Sequence, residues 1–62
     1  MLGIAEKRKR VGLTQDELAK KLGVSQAAVS LWELGTSSPN SSLLLKLADA
    51  LECSVEELLK EG

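Results

Sequence analysis

Apolar residues in this 62-residue chain recur at spacings of three, four and seven and never in strict alternation. Ile4 and Val11 stand seven apart. Leu18, Ala19 and Leu22 form the next stripe, followed by Val29 and Trp32, then Leu44, Leu47, Ala48 and Leu51, then Val55, Leu58 and Leu59. Each set falls on one face of a 3.6-residue helix. Gly12, Gly23, Gly35 and Pro39 punctuate the sets as helix-breaking residues. The pattern predicts five helices: Leu2–Val11, Gln15–Leu22, Gln26–Leu34, Ser41–Leu51, and a short one from Val55 through about Glu61. No segment has the period-two pattern of a strand. The fold class is therefore all-α, and a chain of this length reads as a single domain over residues 1–62.

Local signals at the helix ends support the same boundaries. Thr14 with Glu17, and Ser54 with Glu57, have the S/T-x-x-E spacing of a capping box. Ser25 and Asn40 are N-cap residue types at the starts of the third and fourth helices. Gly23 follows the second helix where a left-handed residue closes it most cheaply. Residues 14–35 thus read as two short helices joined by a three-residue turn with Gly, the layout of a helix-turn-helix.

The third helix divides cleanly by angle. With Gln26 at zero and about 100° per residue, Ala28, Val29 and Trp32 fall between about 200° and 300°. Ala27, Ser30, Leu31 and Leu34 fall on Gln26's side. The first set is the core face. The second is an outward face without a charge, which suits contact with another surface better than solvation. In a DNA major groove, Gln26 fits adenine bidentately, Ala27 and Leu31 fit thymine methyls, and Ser30 donates or accepts. Gln15, at the start of the second helix, is placed to hold a phosphate and brace Gln26. The alternative is an ordinary exposed face.

Composition narrows the classes. There is no His and Cys53 is the only Cys, so no four-ligand zinc site and no disulfide can form within the chain. Without a His partner or a glycine-rich phosphate loop, no catalytic constellation is visible, and Cys53 reads as a small core residue. Glu56 and Glu57 are first-turn acids of the fifth helix. Trp32 is the sole aromatic residue, which disfavours single-strand binding by stacking. No apolar run is long enough to span a membrane, the first residues are too short for a signal peptide, and unpaired Cys fits the cytoplasm. The net charge of −1 hides an asymmetry. Residues 1–31 hold six Lys/Arg against three Asp/Glu, and residues 32–62 hold two against six. The basic half includes the run Lys7-Arg8-Lys9-Arg10 and suits phosphate.

Taken together, Gly12-Leu13-Thr14-Gln15, Glu17-Leu18-Ala19, Leu22-Gly23-Val24-Ser25, Val29-Ser30, Trp32-Glu33, Gly35, Pro39, Leu44, Leu47-Ala48, Leu51, Ser54 and Leu58-Leu59 resemble the Cro and phage-repressor class of helix-turn-helix regulators, the xenobiotic-response-element family. The resemblance covers nearly the whole chain. It implies a compact five-helix, lambda-repressor-like domain whose third helix enters the major groove. It implies base contacts from Gln26, Ala27, Ser30 and Leu31, and phosphate contacts near Gln15 and in the loop with Ser38 and Asn40; Thr14, Ser25 and Lys46 are further candidate phosphate contacts. It also implies a pair between Arg8 and Glu33, which, if exposed, would contribute about 0–1 kcal/mol.

The chain departs from the family at Leu34, Thr36, Ser37 and Ser38, where relatives are often basic or Asn, so a shallow salt dependence is expected. Leu34 and Leu43 are also apolar where relatives are usually polar. The expected partner is a near-palindromic double-stranded operator bound by a homodimer, with Leu43, Val55, Leu58 and Leu59 as a candidate dimer patch or, equally, core. The expected role is a repressor without a cofactor. A protein-interaction module, antitoxin-like or regulator-binding, is the alternative.

Overall fold

The computed structural model describes residues 3–60 and contains five α-helices: α1 Ile4–Arg10, α2 Gln15–Leu22, α3 Gln26–Leu34, α4 Ser41–Ala50 and α5 Val55–Lys60. α2 packs chiefly on α3 and then on α4, α4 carries α5, and α1 closes against α3. Among the described residues there is no strand. The first helix is shorter than its pattern predicts: Val11 is its C-cap, and Leu2 lies outside the described residues. Leu51 likewise caps α4 rather than extending it. Glu61 lies outside the described residues.

The caps form as their residue types require. Thr14 Oγ1 accepts from the Glu17 N–H at 3.1 Å while the Thr14 N–H donates to Glu17 Oε1 at 2.8 Å, which completes a capping box. Ser54 and Glu57 exchange the same two bonds at the start of α5. The turn between α2 and α3 depends on Gly23 at φ +73°. The Val24 N–H reaches back to the Ala19 carbonyl at 3.0 Å and the Gly23 N–H to Lys20 at 3.3 Å, so two orphan carbonyls of α2 are satisfied. α4 ends with the same bonding pattern, Cys53 N–H to Ala48 and Glu52 N–H to Asp49, but there the left-handed position is filled by Glu52 at φ +57°. A side chain at such a backbone angle carries a steric penalty that Gly escapes.

The buried residues form one cluster: Ile4 from α1, Leu18, Ala19 and Leu22 from α2, Val29 and Trp32 from α3, Leu47 and Ala48 from α4, Leu51, and Leu58 from α5. Every helix thus contributes to a shared core, and burying each large aliphatic side chain stabilises by about 1.5–3 kcal/mol. One expectation changes here. Leu58 has no exposed surface, so it belongs to the core and is removed from the candidate dimer patch. Apart from that expectation, the basic run of α1 divides by burial: Lys7 is buried, Arg8 is half-buried, and Lys9 and Arg10 are exposed, because successive helical residues turn through the core direction.

Candidate nucleic-acid interface

The 3.6-residue period separates the two sides of α3 largely as its sequence dictates. Val29 and Trp32 are buried and Ala28 is half-buried against the core. Gln26, Ala27, Leu31 and Leu34 are exposed, and Ser30 is half-buried. Leu34 is 70% exposed, which excludes it as core filler, whereas Leu43 is half-buried and packs on the core.

Behind this face runs a connected polar array. The Arg8 guanidinium forks onto Glu33, Nε to Oε2 at 2.7 Å and Nη2 to Oε1 at 3.2 Å. Its Nη1 donates to the Leu13 carbonyl at 2.9 Å. Gln15 Nε2 donates to Glu33 Oε1 at 2.8 Å, and Gln26 Nε2 donates to Gln15 Oε1. The array ties α1, the turn after it, α2 and both ends of α3 to one carboxylate. The expected Arg8–Glu33 pair is formed, and the case of an exposed pair does not apply to it: the two side chains are only 12% and 9% exposed. Packing of the α1–α2 turn and Gln15 against the pair removes it from water.

The environment of the pair favours its charged form. Burial pushes the Glu33 carboxyl up, but hydrogen bonds from Arg8 and Gln15, with the charges of Arg8 and Lys9, more than offset it and hold the group below the usual carboxylate range. The bond to Glu33 raises Arg8, against the opposing effect of burial. Cys53 is half-buried, and burial pushes its thiol up, which suits an inert packing residue.

Gln15 and Gln26 open onto a shallow groove also lined by Arg8, Lys9, Thr14 and Asp16. Thr14 and Ser25 use their hydroxyl oxygens as cap acceptors and keep the hydroxyl hydrogen free to donate. Asn40 caps α4 through Oδ1, accepting from the Leu43 N–H at 2.8 Å, and keeps its Nδ2 donors. Ser38 and Asn40 are exposed in the loop between α3 and α4. Lys46 is placed elsewhere: it lines a separate groove with Lys21, Leu22 and Asp49, at the end of α2 opposite to Gln15. Eight residues of helix lie between those ends, about 10 Å. Of the remaining patch residues, Val55 is half-buried and packs on the core, while Leu59 is 60% exposed.

Two features escaped the sequence pattern. Leu45 on α4, outside the stripe of Leu44, Leu47, Ala48 and Leu51 and given no role by it, is 65% exposed. The Gln15–Glu33 bond was also missed, yet a signal was present. Gln26 and Glu33 are seven residues apart, two turns along one stripe of α3, and a Gln at the start of α2 is long enough to bridge them.

A left-handed Gly turn between α2 and α3, with the outer face of α3 uncovered, defines a helix-turn-helix fold. A helix-turn-helix family model matches residues 4–58, and the chain belongs to that family, of the Cro/C1 type. It is 44% identical over 57 residues to repressor protein C2 of Salmonella phage P22, covering 92% of this chain and 26% of that protein. It is 43% identical over 51 residues to the regulator DicA of Escherichia coli K12, covering 82% of this chain and 38% of the relative. The chain thus spans about a quarter to two-fifths of the length of these curated relatives. In structure it matches the P22 c2 repressor solved in complex with a synthetic operator, with a TM-score of 0.88 and 42% identity over 95% of this chain and 89% of that one. It also matches the N-terminal DNA-binding domain of SinR from Bacillus subtilis, with a TM-score of 0.83 and 36% identity over 94% of this chain and 86% of that one.

Proposed function

We propose that this chain is the sequence-reading module of a transcriptional regulator, a repressor by its kinship, that lays α3 in the major groove of double-stranded DNA. The observation that carries this reading is the uncharged outer face of α3 with its first residue, Gln26, held by Gln15. A helix that displays amide, hydroxyl and methyl groups to solvent, but has its orientation fixed by a half-buried ion pair, is built to meet a patterned surface. The likeness to a repressor solved on operator DNA supports the same reading. Gln26, Ala27, Ser30 and Leu31 are the proposed base contacts, and Thr14, Gln15, Ser25, Ser38 and Asn40 the proposed phosphate contacts. Lys46 has weaker support, since it lies at the far end of α2. The chain acts as a non-enzyme and needs no cofactor.

One reading helix covers one half-site, so we propose a homodimer on a near-palindrome with half-sites roughly 34 Å apart. Leu59, with the partly covered Leu43 and Val55, remains the proposed dimer patch. Among the described residues no helix is long and apolar enough to cross a membrane, and the proposed DNA-reading role supports a cytoplasmic location as part of this proposal. Selection of bound duplexes from a random pool, followed by sizing of the complex, tests the proposal. A recurrent two-fold site with two chains per duplex supports it. Gln26→Ala then costs about 1–3 kcal/mol and blurs one base pair. No selected site at low salt, with tight capture of a protein instead, favours the interaction-module alternative, for which the exposed Leu34, Leu45 and Leu59 are the supporting features.

A further inference from the structure

The polar array has a direction, and that direction is imposed from the end remote from Gln26. Glu33 is ionised, and an ionised carboxylate only accepts hydrogen bonds. Gln15 must therefore turn Nε2 toward Glu33, as it does at 2.8 Å, which leaves its Oε1 aimed at Gln26. Gln26 must answer with Nε2. The orientation of both amides thus follows from the charge on Glu33, and Arg8 anchors that charge.

Donor counting gives the consequence. A glutamine amide has two N–H donors and one carbonyl acceptor. With one N–H committed to Gln15, Gln26 is left with one N–H and one carbonyl. Adenine presents an N7 acceptor beside an N6 donor in the major groove, which matches that remainder. Guanine presents two acceptors, N7 and O6, and would set O6 against the Gln26 carbonyl.

We infer that Glu33 is a positioning residue for base choice: acting through Gln15, it fixes the donor–acceptor polarity of Gln26 and so selects adenine over guanine at the base pair that Gln26 meets. This rests on the DNA-reading function proposed above and extends it to a residue two turns further along α3. It also predicts what reverses the choice. In Glu33→Gln the new amide keeps its carbonyl on Arg8 Nε, the shorter of the two guanidinium bonds, gives up the bond from Arg8 Nη2 and turns an N–H to Gln15. Gln15 then reverses and donates to the Gln26 carbonyl, which frees both N–H groups of Gln26 for guanine.

The test compares wild type, Glu33→Gln and Gln15→Leu by selection from a random duplex pool. Competition binding then uses two duplexes that differ only by adenine or guanine at the Gln26 position. Circular dichroism melts confirm that each variant is folded. Gln15→Leu removes the bridge but keeps the Arg8–Glu33 pair, so it serves where Glu33→Gln fails to fold. The expected result is an adenine preference in wild type that inverts to guanine in Glu33→Gln, a change in the ratio of about tenfold or more, and drops toward unity in Gln15→Leu. Loss of phosphate affinity from either change is uniform across the two duplexes and leaves the ratio untouched. A folded variant that weakens binding equally to both duplexes overturns the inference, as does a wild type that selects guanine there. A wild type that binds no duplex removes the DNA-reading function itself, and this inference with it.

Discussion

Separating Arg8 from Glu33 is predicted to cost far more stability than the loss of a surface ion pair. In Arg8→Met the Glu33 carboxylate, whose side chain is 9% exposed, keeps only the Gln15 bond, and the Leu13 carbonyl loses its donor. Exposed pairs couple by about 0–1 kcal/mol. Breaking a fully buried pair from one side costs about 3–5 kcal/mol. The partial burial here, with two guanidinium bonds onto one carboxylate, places the coupling at about 2 kcal/mol and the single change at about 3 kcal/mol. A chain of this size has about 3–9 kcal/mol in total, so Arg8→Met lowers the melting temperature by more than about 10 °C. The assay is a double-mutant cycle with Arg8→Met, Glu33→Leu and the double variant, followed by urea unfolding through the fluorescence of the buried Trp32. Acid titration gives a second axis. Because the folded Glu33 pKa lies below its unfolded value of about 4.3, the stability from the pair is fully present above that pH. It is lost as pH falls through the lower folded pKa. Arg8→Met removes most of that acid-sensitive component. A coupling below about 0.5 kcal/mol, or an acid profile of Arg8→Met parallel to wild type, refutes the reasoning.

Glu52→Gly relieves the left-handed side chain after α4 and is expected to stabilise by about 1 kcal/mol, raising the melting temperature by about 4–8 °C; an unchanged or lower melt contradicts it. Leu58→Ala should cost about 2–5 kcal/mol, while Leu59→Ser stays within about 0.5 kcal/mol in the monomer. Equal effects in chemical denaturation would contradict the placement of one leucine inside and the other outside. Most of the proposed phosphate contacts are neutral donors, so the slope of log affinity against log salt should be shallower than about −6, and a steeper slope measured by fluorescence anisotropy contradicts that list.

The fold was legible because its signals are local. Thr14, Ser25, Asn40 and Ser54 cap the helices that their spacing predicts. Gly23 takes the left-handed angle, and the apolar stripes supply the core. The outer face of α3 followed from the same periodicity. Three-dimensional burial was not legible. Leu58 and Leu59 are neighbours on one stripe, and only the packing of α5 on α4 decides which is covered. Arg8 and Glu33 were matched through resemblance, but their removal from water depends on Gln15 and the α1–α2 turn closing over them. Lys46 was expected at phosphate, and its place at the end of α2 opposite to Gln15 emerges only once α2 and α4 are docked.

The central claim is that α3 presents its uncharged flank to the major groove. Amide and side-chain NMR shifts of the labelled protein, titrated with its selected duplex, test this most directly. The largest changes are expected at the Gln15 and Gln26 side-chain amides and at Ala27, Ser30 and Leu31. Changes confined to the surface around Leu45 and Leu59, with α3 undisturbed, would contradict it.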